Sequence, residues 1–138
     1  MWPLARMIVG GMAMLALGAV AVCAGPIAPR DLQGTWELAE IASRPVAPTA
    51  TNARPAFTIK DQGIEGFDGC NNFSGRLDQP GAIASTRRGC PDDVVKLPLD
   101  LTDAWSHLKA GKIQNGALVL PARAGLPASV FRRPKPTP

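Results

Sequence analysis

The chain has 138 residues, with 15 Lys and Arg against 11 Asp and Glu, 19% charged residues, 5% aromatic residues and no Tyr. That length supports one domain. A single His leaves no histidine-rich metal site, and the few aromatics with a net charge of +4 argue against a nucleic-acid binder built on stacking platforms.

Residues 1–24 read as a signal peptide. Arg6 supplies a basic start, and an apolar run continues from Met7 to Ala24. Five Ala and three Gly make that run only weakly apolar for a membrane span. Cleavage after Ala24 would leave Val22 and Ala24 in the two positions that need small side chains. Cys23 opens a second route, lipidation and a membrane anchor, although branched Val22 is a poor residue directly before a lipid-modified Cys. The expected location is therefore exported, periplasmic or cell envelope, with lipid anchoring at Cys23 as the alternative.

Residues 25–30 read as a short flexible lead, 31–133 as the folded domain and 134–138 as a disordered tail. Alternation over Thr35–Ile41 turns Trp36 and Leu38 toward a core and Glu37 outward. Ser43–Pro55, rich in Pro, Ala and Thr, reads as a loop or irregular edge. Ala56–Lys60 and Ile64–Phe67 form a hairpin across Asp61-Gln62-Gly63, with Gly63 as the positive-φ position. Further strands are expected at Phe73–Leu77, Ala82–Ser85, Lys112–Gln114, Ala117–Leu120 and Ser129–Arg132, with Asn115-Gly116 as a two-residue hairpin turn. Leu97, Leu101, Ala104, Trp105 and Leu108 trace the apolar stripe of one amphipathic helix, with Pro98 in its first turn and Gly111 as its C-cap. The fold class is mainly β (α+β), a compact antiparallel, barrel-like sheet with that helix over one face or end.

Cys70 and Cys90 are the cysteines left after cleavage, and an exported pair is most simply a disulfide. The closed loop would contribute about 3 kcal/mol. The 19 intervening residues do not suit a redox-active or metal-binding pair.

The order of motifs resembles the META domain, or HslJ-like heat-shock, family. Leu32-Gln33-Gly34-Thr35-Trp36 is similar to its opening, Gly69-Cys70-Asn71-Asn72-Phe73-Ser74-Gly75 to its central Gly-Cys-Asn motif, and Ser85-Thr86-Arg87-Arg88-Gly89-Cys90 to its Ser-Thr segment ending in Cys. Leu77 departs from the Tyr usual there, and Gly89 from a common Ala. The resemblance covers about residues 31–132. It implies a mainly antiparallel β domain, exported to the cell envelope, associated with stress and without an established enzymatic activity.

Weighed as sites, Gly66, Gly69 and Gly75 lack the helix and Lys of a phosphate loop and read as turn glycines. Asn71 and Asn72 suit left-handed turn positions and local hydrogen bonds. His107 lies off the apolar stripe with no nucleophile-elbow serine to serve, so His107→Ala is expected to change nothing in a binding protein. Asp92-Asp93 reads as a turn rather than a cation site. Arg132-Arg133-Pro134-Lys135 offers a weak second basic cluster for anionic surfaces. Arg87-Arg88, next to Cys90, is the candidate anion- or partner-binding pair.

The functional expectation is a non-catalytic envelope domain, a stress-associated binding or integrity factor. It would be a monomer without metal or cofactor. Its partner is expected to be an envelope protein, a cell-wall or lipid component, not nucleic acid, with membrane contact only through lipidation at Cys23. The alternative is a periplasmic enzyme or enzyme inhibitor using the Arg87/Arg88 loop.

Overall fold

A computed structural model describes residues 29–47 and 53–136. The leader, Cys23 and the last two residues lie outside the described residues, as do five positions of the Ser43–Pro55 segment. Strand β1, Gly34–Ile41, is the organising element. It pairs antiparallel with β3, Ala56–Lys60, on one side, and with β9, Ser129–Arg132, on the other. A two-residue strand, β2 (Arg44–Pro45), folds back on its end. This strand lies in the stretch that the sequence reads as loop.

From β3 the sheet continues through β4 (Gly63–Phe67) and β5 (Asn72–Arg76) to β6 (Ala84–Ser85). From β9 it continues through β8 (Ala117–Leu120) to β7 (Lys112–Gln114). All eight pairings are antiparallel. The sheet has nine strands and two ends, β6 and β7, so it is an open sheet rather than a closed barrel.

Alternation selects the core. Trp36 and Leu38 of β1, Phe57 and Ile59 of β3, Ile64 of β4, Phe73 of β5 and Phe131 of β9 all fall below 4% exposure. Phe57 and Phe131 meet edge to face at 5.2 Å across the two neighbours of β1. Register slips by one residue between Leu38 and Glu40 against β9, which makes Ala39 the extra residue of a bulge. Asn115 and Gly116 both take positive φ, 50° and 76°, as a two-residue primed turn requires. In the β3–β4 turn the positive φ falls on Asp61, at 55°, and Gly63 is a strand residue instead.

The helix is shorter than its apolar stripe. α2 runs only from Ala104 to Lys109. Leu97, Ala104 and Leu108 are buried as expected, and Leu101 and Trp105 pack against the core. Two local preferences keep the first half from coiling. Pro98 disfavours helical geometry at Leu97, whose N–H donates to Asp68 O at 2.6 Å. Asp100 Oδ1 then captures the N–H groups of Thr102 and Asp103, at 2.9 and 3.2 Å, in a competing turn. Gly111 follows the C-cap Ala110 and sits where a Cβ would come within 2.6 Å of Leu120, so close packing selects glycine there. A short helix missed from the sequence, α1 (Pro29–Leu32), precedes β1 and seats Leu32 in the core.

Candidate functional site

The Gly-Cys-Asn motif forms a rigid hub at the β5–β6 end of the sheet. Asp68 starts it: its Oδ1 accepts the N–H groups of Cys70 and Asn71 at 2.8 and 2.6 Å. The Asp68 N–H donates to Asn71 O at 2.9 Å, closing a tight turn. Gly69 takes φ +108° inside this turn, and a Cβ there would collide with the Val95 carbonyl oxygen. The role of Asp68 was missed, although an Asp followed by Gly is a turn signal.

Cys70 and Cys90 are joined, with Cα atoms 5.7 Å apart. Asn71 lies inside the loop they close. Its Oδ1 accepts the Thr86 hydroxyl at 3.0 Å and the Arg88 N–H at 2.7 Å, and its Nδ2 donates toward Cys90 Sγ at 3.4 Å. Thr86 Oγ1 in turn accepts the Asn72 N–H at 3.1 Å. The structure therefore brings Gly69, Cys70, Asn71, Asn72, Thr86, Arg88 and Cys90 together. Arg87 and Arg88 are exposed, and neither belongs to any ion pair among the described residues.

Other motif residues serve the neighbouring strands. Ser74 is exposed on β5 opposite Ala84, and Ser85 lies on the edge strand opposite Phe73. Gly75 packs against the Ala82–Ile83 backbone, where a Cβ has no room. Beside the hub, the outer face of β3–β6 holds an open groove of about 760 Å³, whose lining includes Glu65, Phe67, Asn72, Ser74 and Thr86. Its hydroxyl, amide, carboxylate and aromatic groups come from four strands, and no short motif of the sequence announces it.

His107 stands apart from this hub and is buried, although the sequence places it off the apolar stripe. It is 0% exposed, with Nδ1 accepting the Asp100 N–H at 3.3 Å and Nε2 facing Pro121 O at 3.5 Å. That arrangement selects the tautomer protonated on Nε2. Loss of hydration on burial lowers its pKa, partly opposed by the Pro121 carbonyl. With both nitrogens engaged, the ring is a structural core residue, and His107→Ala is expected to destabilise the fold. Beside it, Asp103 pairs with Arg123, which holds the Asp103 carboxyl below its ordinary value.

The second basic cluster is largely spent internally. Arg132 pairs with Glu40 at 3.1 Å. Arg133 stacks 3.8 Å from the Trp36 ring centroid and donates to the carbonyls of Gln33 and Asp31. Asp92-Asp93 occupies a turn closed by Val94 N–H to Pro91 O at 3.3 Å. Among the described residues no three His, Cys, Asp or Glu side chains gather as a metal site, and no helix is long and apolar enough to cross a membrane.

Comparison with known proteins agrees with this architecture. No curated protein matches the chain. A solved structure described as "NMR structure of the protein" superposes with a TM-score of 0.53 at 20% identity, covering 77% of this chain and 94% of that one. The likeness to it is one of fold. The META domain family pattern matches residues 30–135, taking in every strand described above. The chain belongs to the META domain family.

Proposed function

We propose that this chain is an exported, non-catalytic binding domain of the cell envelope that holds an anionic partner at Arg87 and Arg88 and supports envelope integrity under stress. The observation that carries this reading is the mounting of the two arginines. The Arg88 N–H is tied to Asn71 and the segment is closed by the Cys70–Cys90 bridge, while neither guanidinium has an ion-pair partner among the described residues. A preorganised backbone lowers the ordering cost of binding, and guanidinium forks match carboxylate and phosphate groups.

Export is supported by the basic start, apolar run and small residues of positions 1–24, and by a bridge suited to an oxidising compartment. The enclosed His107 supports a role without general-base chemistry. The stress link rests on the family resemblance alone. The test compares wild type with Arg87→Ala/Arg88→Ala in envelope fractions washed at low salt. Retention of wild type and release of the variant, at equal melting temperature, is the expected result. Equal retention overturns the arginine site.

A further inference from the structure

Among the described residues, the β6 end of the sheet is an unpaired strand edge next to the two arginines. β6 lies on β5 with Phe73 opposite Ser85 and Ser74 opposite Ala84. Beyond Ser85, the Thr86 N–H donates to Asn72 O at 3.0 Å and the Arg88 N–H donates to Asn71 Oδ1 at 2.7 Å. Residues 86 and 88 thus direct their donors toward β5 with the two-residue period of an extended chain. The Asn71 side chain stands in for the next strand carbonyl. By the same period, Ser85 and Arg87 turn their N–H and C=O groups to the open side. Ser85 faces Phe73 as the non-hydrogen-bonded pair beside the Thr86–Asn72 bond, so its two groups lie outside the β5 ladder, and no turn or loop bond among the described residues engages those of Arg87.

We propose that this edge receives an extended peptide segment bearing two adjacent carboxylates, which adds as a further strand beside β6. The inference rests on the binding role of Arg87 and Arg88 and specifies its partner. Main-chain groups at Ser85 and Arg87 supply the pairing, as in other cases of strand addition. Successive residues of an extended chain point to opposite faces, so Arg87 and Arg88 flank the added strand from both sides, one for each carboxylate. Both arginines are exposed and outside the ion pairs of the described residues, which makes the edge complementary to an acidic strand. A second copy is disfavoured, because pairing two such edges gathers four arginines. The Asn71 bonds and the disulfide hold the strand extended in advance.

The test uses the full chain with dye-labelled acetyl-Thr-Val-Glu-Glu-Val-Thr-amide, its Gln-Gln counterpart and a version N-methylated at alternate residues. The Glu-Glu peptide is expected to bind at least tenfold tighter than either control, and amide exchange at Ser85 and Arg87 should slow on binding. Ser85→Pro removes an outward donor and leaves the β5 ladder intact, so it should weaken binding about tenfold at unchanged melting temperature. Equal binding of the N-methylated peptide overturns strand addition, and equal binding of the Gln-Gln peptide overturns the acidic specificity. If no peptide binds while the double arginine variant still loses envelope retention, the peptide partner fails and the arginine site stands. If that variant keeps its retention, the arginine site fails first.

Discussion

The backbone N–H of Arg88 donates to the side-chain oxygen of Asn71 at 2.7 Å, so a side chain continues a strand ladder past the end of the strand. The same oxygen accepts the Thr86 hydroxyl at 3.0 Å. Asn71→Ala removes both acceptor contacts in a half-exposed setting, and a loss of about 1–2 kcal/mol in urea unfolding is expected. Exchange of the Arg88 amide should quicken as well. Asn71→Asp keeps an acceptor oxygen and should lose less; an alanine variant as stable as wild type would remove the hub from the account.

Reduction or replacement of the Cys70–Cys90 bridge frees a loop with a sequence separation of 20. The Cys70→Ser/Cys90→Ser variant is expected to lose about 3 kcal/mol, a drop of roughly 10–15 °C in Tm. Calorimetry of the pair with and without reductant checks this: reductant should lower wild type toward the variant and leave the variant unmoved.

Gly69 combines φ +108° with a Val95 carbonyl in the space a Cβ needs. Gly69→Ala therefore carries both a left-handed backbone cost and a steric one, about 3 kcal/mol or more together. A chemical denaturation curve within 1 kcal/mol of wild type would mean that the turn relaxes freely.

Burial of His107 favours its neutral form, pushing its pKa below the ordinary 6.5. The unfolded chain then binds a proton that the folded chain refuses. Stability is complete above about pH 6.5 and falls as pH drops from there toward the lowered folded pKa, with a slope of at most about 1.4 kcal/mol per pH unit. Asp100 and Asp103 face the same region, with pKa values below the ordinary 3.8, so their contribution is lost only at more acidic pH. His107→Gln should flatten the stability profile just below pH 6.5 while lowering its plateau. An unchanged slope there would place the titration elsewhere.

Arg133 clamps the start of the domain to its end by stacking on Trp36 and bonding to the Gln33 carbonyl. Arg133→Ala should cost about 1 kcal/mol and shift tryptophan emission to the red. Lysine at this position should not restore the loss, because it lacks the flat fork; full rescue by Arg133→Lys would reduce the contact to charge alone.

Period-2 alternation identified most of the strands because each buries one face, and Trp36, Leu38, Phe57 and Phe131 announce that face. The Asn115-Gly116 turn was readable because both positions need positive φ. Helical periodicity at Leu97–Leu108 marked the right core residues but overstated the coil, since Asp100 offers its backbone neighbours a competing acceptor. His107 escaped because the groups that cover it, the Asp100 N–H and the Pro121 carbonyl, lie outside its own helix. At the site, the cysteine pairing followed from compartment and count. The Asn71 ladder and the outer groove join residues from separate strands, and no single segment shows that register.

The strand at the middle of the sheet is completed by the last of the described strands: Glu40 and Arg132, 92 positions apart, meet across β1 and β9. Synthesis releases β1 well before β9. Until residues 129–132 emerge, β1 lacks one of its two long neighbours, and the β7–β8 hairpin has nothing to dock on. Such a long-range closure makes folding slow and late. Sheet assembly therefore waits on the β1–β9 pairing, and refolding is expected to report that pairing as its late step.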